Sequence, residues 1–204
     1  MKIVISESQY KRLIEAKEEQ KVLRIPSLKF FNDDWFLLQE FLETKGNPPY
    51  SVGGDLYLRG TPIESLGNLQ SVGGNLYLED TPIESLGNLQ SVGGYLNLIG
   101  APIESLGNLV SVGNYLYLRG TPIESLGNLQ SVVGDLDLYR TPIESLGNLQ
   151  SVGGNLNLIG TPIKSLGNLQ SVVGDLDLYR TPLSKMYNEK QIRKILNVEG
   201  DIYL

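Results

Sequence analysis

Apolar residues return to the same places every 20 positions through most of this chain. In residues 71–90 they are Val72, Leu76, Leu78, Ile83, Leu86 and Leu89, separated by polar residues, Gly and Pro. Leu76 and Leu78 are two apart, so they share one face of a short strand. Ile83, Leu86 and Leu89 follow at steps of three, which fits tight corners better than an α-helix. Thr81-Pro82 blocks helical continuation, and Gly73-Gly74 and Gly87 punctuate the rest. The unit reads S-V-x-G-x-L-x-L-x-x-T-P-I-x-S-L-G-N-L-x, and its copies run 51–70, 71–90, 91–110, 111–130, 131–150 and 151–170. A seventh begins at Ser171 and leaves the pattern after Pro182, and residues 198–204 (VEGDIYL) echo an eighth strand.

Such a unit is too short for a strand and a return helix, and none can bury its apolar side alone. Stacking solves this, with leucine over leucine at about 4.8 Å. Thr recurs at 61, 81, 121, 141, 161 and 181, with Ala101 the exception, and Asn recurs at 68, 88, 108, 128, 148 and 168. Both columns read as side chains that hydrogen-bond turn backbone as they stack. The near-identity of the copies points to recent duplication of the unit.

Open ends need covers. MKIVI reads as a strand, and Ser6 or Ser8 caps a helix over about 7–20 with Tyr10, Leu13 and Ile14 on one side. VLRIPSLKFF reads as extended. Asn32 or Asp33 starts a second helix, DDWFLLQEFLETK, with Trp35, Phe36, Leu38, Phe41 and Leu42 apolar, and Gly46 and Pro48-Pro49 end it. Near the other end, 184–196 (SKMYNEKQIRKIL) reads as one helix with Met186, Ile192, Ile195 and Leu196 apolar, followed by a strand at 201–204. The division expected is 1–50, an N-terminal α/β cap; 51–182, a solenoid of about seven units; and 183–204, a C-terminal helix plus final strand.

The spacing L-x-L-x-x-T-x-I-x-x-L, carried by Leu76, Leu78, Thr81, Ile83 and Leu86, resembles the leucine-rich repeat, with Thr81 where that family usually has Asn or Cys. LGNLQSVGGNLYL, residues 66–78, is also similar to the coils of receptor L domains. The resemblance covers about 51–182 plus the last seven residues. It implies an all-β-dominated solenoid, a right-handed coil stack with a parallel β-sheet and helical N- and C-terminal caps (α/β overall). The family's members mostly serve as binding scaffolds without a common chemistry.

Variation between copies concentrates on the outward positions of the L-x-L strand. One column reads Asp55, Asn75, Tyr95, Tyr115, Asp135, Asn155, Asp175, and the next Tyr57, Tyr77, Asn97, Tyr117, Asp137, Asn157, Asp177. A third reads Arg59, Glu79, Ile99, Arg119, Tyr139, Ile159, Tyr179, and a fourth is mostly Gly, with Asp80, Arg140 and Arg180. A fixed frame with one varied, tyrosine-rich face suits recognition of a protein partner. The competing reading is drift at solvent positions. The candidate contact residues are Tyr57, Tyr77, Tyr95, Tyr115, Tyr117, Asp135, Asp137, Tyr139, Asp175, Asp177 and Tyr179. The alternative is a structural or self-assembly protein that stacks through its solenoid end, and the expected state is a monomer or a homodimer through the C-terminal solenoid end.

Composition narrows the chemistry. The chain has no Cys and no His, which removes thiolate chemistry, the commonest acid–base side chain and the commonest metal ligand. Asp135/Asp137 and Asp175/Asp177 could in principle do acid–base work or hold Ca²⁺, but on an open, wet face burial does not tune them. The expectation is no enzyme, no cofactor and no metal. A net charge of −6 argues against general binding to nucleic acid or to a membrane. With no bilayer-length apolar run and no signal-peptide pattern, the expected location is cytoplasmic. Glu64, Glu84, Glu104, Glu124 and Glu144, ended by Lys164, form a solubilising column.

Overall fold

The computed structural model describes residues 22–204. The strand and helix expected within residues 1–20 lie outside the described residues. Each coil supplies two very short strands to two separate parallel sheets. The L-x-L strands, such as Leu76–Tyr77, form an eight-stranded sheet. The S-V pairs, such as Ser91–Val92, form a nine-stranded sheet that begins with Leu23–Ile25. The coils wind as a right-handed solenoid of stacked parallel sheets. Only one sheet was expected from sequence, because a two-residue strand is too short to show an alternating pattern. Its signature is a single buried residue, Val72 at 1% exposure, beside a half-buried Ser71.

Register is constant: Leu116 pairs with Leu136, and Ser131 with Ser151. One exception is the first interface, where a bulge between Tyr50 and Ser51 shifts the pairing. The other is the last, where Leu176 pairs with Ile202 because two helices are inserted. The core is the repeat's apolar set stacked on itself. Val72, Leu76, Leu78, Ile83, Leu86 and Leu89 are each at most 2% exposed. Backbone N–H groups satisfy the neighbouring coil, as from Leu76 to Tyr95 O and from Gly93 to Val72 O, both 2.8 Å.

The Thr column is buried from Thr81 onward and half-buried at Thr61, and each hydroxyl donates to the carbonyl three residues back: Thr61 to Leu58 O at 2.6 Å, Thr121 to Leu118 O at 2.7 Å, Thr141 to Leu138 O at 2.9 Å. Ala101 lacks that bond but keeps the backbone one, its N–H donating to Leu98 O at 3.0 Å. The Asn column works between coils, with Asn88 Nδ2 donating to Asn68 Oδ1 at 3.1 Å and Asn108 Nδ2 to Gly87 O at 3.1 Å.

At the N-terminal end Leu23–Ile25 pairs with Tyr50–Val52, and a 3₁₀ turn, Leu28–Phe31, follows. Only the first part of the stretch read as extended is therefore a strand. Helix α1, Trp35–Thr44, is capped by Asp34, whose Oδ1 accepts from the N–H groups of Phe36 and Leu37. The cap is two residues later than Asn32 and one later than Asp33, because those two sit in left-handed turn conformation at φ 53° and 58°. Trp35, Leu38 and Leu42 cover the first coil, while Phe36 points to solvent. Tyr50 joins cap to coil: its buried hydroxyl donates to Leu66 O at 2.8 Å and accepts from Gln39 Nε2 at 3.1 Å. Burial holds its pKa well above the ordinary phenol value.

The single helix expected over 184–196 is two. Helix α2 is Pro182–Met186 and helix α3 is Glu189–Ile195. Asn188 breaks the run by forming a capping box with Gln191. Of the four residues read as one apolar side, Ile192 and Leu196 are buried, whereas Met186 and Ile195 are 62% and 64% exposed.

Candidate functional site: the outer face of the eight-stranded sheet

All the candidate residues point outward from the eight-stranded sheet, alternating with leucines that are essentially fully buried. The structure brings the tyrosines into contact across coils. Tyr57 and Tyr77 stack with ring centroids 5.1 Å apart and planes 8° apart. Tyr95 stacks on Tyr115 at 5.2 Å, and Tyr115 meets Tyr117 at 5.9 Å in a tilted arrangement. Further along the stack Tyr139 and Tyr179 each meet an arginine. The Arg119 guanidinium lies 4.3 Å from the Tyr139 ring centre and that of Arg140 5.0 Å from it, and Arg180 lies 5.2 Å from Tyr179. Tyr57 is 68% exposed, while Tyr77, Tyr95, Tyr115, Tyr117 and Tyr139 are half-buried by their neighbours.

The aspartates have a structural duty that sequence reasoning missed. Asp55 Oδ1 accepts the backbone N–H of Asn75 one coil later, at 2.7 Å. Asn75 Oδ1 does the same for Tyr95 at 2.8 Å, Asp135 for Asn155 at 2.7 Å, Asn155 for Asp175 at 2.8 Å, and Asp175 for Asp201 at 2.8 Å. This is a side-chain ladder running down the stack. Only Tyr95 and Tyr115 interrupt it. The next column holds the strand end instead: Asp137, Asn157 and Asp177 accept from the N–H two residues on, at 3.0, 3.0 and 2.9 Å. A sequence signal existed, because both columns vary only among Asp, Asn and Tyr, and Asp and Asn share one side-chain oxygen acceptor. Each of Asp135, Asp137, Asp175 and Asp177 thus engages one carboxylate oxygen internally. Among the described residues none of the four belongs to an ion pair.

The ladder explains a glycine column. A Cβ on Gly94 would lie 2.1 Å from Asn75 Oδ1, and one on Gly154 would lie 2.2 Å from Asp135 Oδ1. The one side chain tolerated in this column, Asn114, follows Tyr95, where there is no ladder oxygen to displace. Gly94→Ala is therefore expected to destabilise the protein by about 2–3 kcal/mol, since it expels an acceptor and strands the Tyr95 N–H. Asn114→Ala should change stability by less than about 0.5 kcal/mol. Urea denaturation of the two variants checks this pair.

The fourth column turns the corner in left-handed conformation, with Gly60 at φ 63° and Gly120 at 67°. Arg140 and Arg180 adopt the same conformation at φ 55° and 60°. For a residue with a Cβ this costs on the order of 1–2 kcal/mol, against which each arginine has its contact with the ring of the preceding tyrosine. Both arginines rise beside a tyrosine on the candidate face.

Glu79 adds an electrostatic feature that the sequence pattern does not show. Its Oε1 accepts from Asn97 Nδ2 at 2.7 Å, while its Oε2 is shielded from solvent with no hydrogen-bond partner. The surrounding field is negative. Tyr57 has a raised pKa, first because its hydroxyl donates to Asp55 Oδ2 at 2.9 Å and then because of that carboxylate's charge. Tyr77 is raised by partial burial and then by Asp55, and Tyr117 by partial burial, then Tyr115 and Asp135. On another wall Glu144 pairs with Lys164 at 2.7 Å, and the rest of that glutamate column is exposed.

No protein-family model matches this chain, and neither do any of the curated proteins or solved structures compared with it. The protein is a right-handed β-solenoid with a 20-residue period. Within the described residues, no cluster of three or more Asp, Glu, His or Cys could hold a metal ion, and no helix is long and apolar enough to cross a membrane.

Proposed function

We propose that the solenoid is a non-catalytic scaffold that recognises a protein partner through the outer face of its eight-stranded sheet, in the cytoplasm. On this reading the coils are a short relative of the leucine-rich repeat. The observation that carries the proposal is the run of tyrosines stacked on one another and on arginines across successive coils. Rings held in place by neighbouring coils lose little conformational freedom on binding, and tyrosine and arginine dominate interface energetics. Arg140 and Arg180 in left-handed conformation weigh against drift, which has no reason to place Arg where four of the seven coils have Gly.

A second reading has its own observation. Met186 and Ile195 are exposed on the terminal helices, and Ile195 borders a cleft of about 280 Å³ with Leu166, Leu183 and Tyr187. That surface could serve self-assembly. The test uses three baits in a pull-down from native lysate: the intact protein, a variant with Tyr57, Tyr77, Tyr115 and Tyr117 replaced by serine, and a Met186→Glu, Ile195→Glu variant. Circular dichroism verifies folding. A protein lost only with the tyrosine variant supports the sheet face. A bait whose sedimentation shows an oligomer, dissolved only by the helix substitutions, supports assembly instead.

A further inference from the structure

We propose that the tyrosine-rich end of this face receives an arginine side chain, carried by an extended segment of the partner, with Tyr57 and Tyr77 as its stacking platform and Glu79 and Asp55 as its carboxylate acceptors. The inference rests on the recognition reading above and names the chemistry of the partner.

Three observations converge. First, the protein already shows what its tyrosines accept. Tyr139 stands between Arg119 and Arg140, and Tyr179 lies against Arg180. Among the described residues no cation lies over Tyr57, Tyr77, Tyr95, Tyr115 or Tyr117, so the two aromatic stacks at this end lack the partner that the later coils supply from within. Second, among the described residues Asp55 and Glu79 belong to no ion pair. Arg59 is the nearest arginine along the chain, and it pairs with Asp80 at 3.8 Å. Asp55 gives Oδ1 to the ladder and Oδ2 to the Tyr57 hydroxyl, and belongs to no ion pair among the described residues. Third, Glu79 Oε2 has no donor although solvent does not reach it. A shielded acceptor without a partner costs on the order of 1–3 kcal/mol and calls for a reason. Asn97 fixes the other oxygen, and Oε2 lies just beneath the face at the end of the strand that carries Tyr77, two residues away, so the incoming guanidinium reaches it by displacing the side chains that shield it.

The guanidinium is the cation that satisfies all three. It is planar, stacks on an aromatic face and donates in a fork that matches a carboxylate. An ammonium does the first poorly and the last as a point charge. The overall charge of −6 favours approach of a basic segment.

The test needs no identified partner. A synthetic peptide alternating glycine and arginine is titrated against the intact protein, with matched peptides in which arginine is replaced by lysine or by citrulline. Affinity is followed by fluorescence anisotropy and by the ring resonances of the tyrosines. The expected result is that the arginine peptide binds and perturbs Tyr57 and Tyr77, that lysine binds at least threefold more weakly, and that citrulline does not bind. Glu79→Gln should weaken the arginine peptide about tenfold, whereas Glu124→Gln, the same charge change on another wall, should leave it unaltered. Equal losses from the two variants, equal binding of the lysine peptide, or unmoved tyrosine resonances at millimolar arginine peptide would each overturn the proposal. The lysate experiment separates it from the broader reading. A partner lost with the tyrosine variant but kept by Glu79→Gln preserves the recognition face and removes the arginine site.

Discussion

Excision of residues 151–170 should leave a folded protein one coil shorter. The cut joins Gln150 to Ser171, and the bonds broken at the old interface re-form, in the same register, at the new one. Leu136 meets Leu176 in place of Leu156, and Asp135 Oδ1 meets the Asp175 N–H in place of that of Asn155. Gly174 then lies over Asp135, a pairing of the kind Gly154 makes now. The variant should keep a cooperative urea transition with a smaller slope, as less surface is exposed on unfolding. Excision of 151–160 alone removes both strands of one coil and sets T-P-I against S-V, so it should yield an unfolded or aggregating chain. A third excision sharpens the test. Removing 91–110 brings Asn114 over Asn75, where a Cβ and the ladder oxygen compete for one place, so this variant should be clearly less stable than the one lacking 151–170. Far-ultraviolet circular dichroism and denaturation of all three decide the matter.

Leu116→Ala should cost about 3–5 kcal/mol, the upper part of the range for such truncations. Leu116 is fully buried at the middle of the stack. The cost of a cavity depends on how far its walls can close. Here they cannot move independently, since the coils on either side are spaced by backbone bonds such as Leu116 N–H to Asp135 O and Leu96 N–H to Tyr115 O, both 2.9 Å. Leu183→Ala, beside the terminal cleft and packed under short helices, should fall in the lower half of that range. Chemical denaturation with shared slopes measures both. A similar cost at the two sites would mean that the central coils relax as freely as the end.

Much of this molecule was legible because each signal was repeated. Leu76, Leu78, Ile83, Leu86 and Leu89 announce their burial in one unit, and the later copies repeat the statement. The second sheet was hidden because Ser91–Val92 is shorter than one period of strand alternation. The helix break at Tyr187–Asn188 was hidden because SKMYNEKQIRKIL offers apolar residues at helical spacing, and only the capping geometry of Asn188 and Gln191 reveals the stop. On the candidate face the tyrosines were visible as a column, but stacking angles and the arginines above Tyr139 and Tyr179 depend on side-chain placement. The aspartates were read by their charge, whereas the structure uses one oxygen of each as a hydrogen-bond acceptor. Glu79 could not be singled out at all, because solvent shielding of one oxygen is a property of its neighbours.

The interruption of the side-chain ladder at Tyr95 and Tyr115 has a mechanical meaning. At the other interfaces between coils of the eight-stranded sheet, pulling the coils apart along the stack must break a short bond from Asp or Asn as well as the backbone bonds. At the two interfaces around Tyr115, the Tyr95–Tyr115 ring stack and the Arg119 guanidinium over the Tyr139 ring stand in for that bond, and such face-to-face contacts slide before they separate. Under axial load the solenoid is therefore most compliant near its middle, beneath its aromatic cluster. A partner that gripped Tyr95, Tyr115 and Tyr139, one on each of the three coils concerned, would act as a splint across the softest joints in the rod.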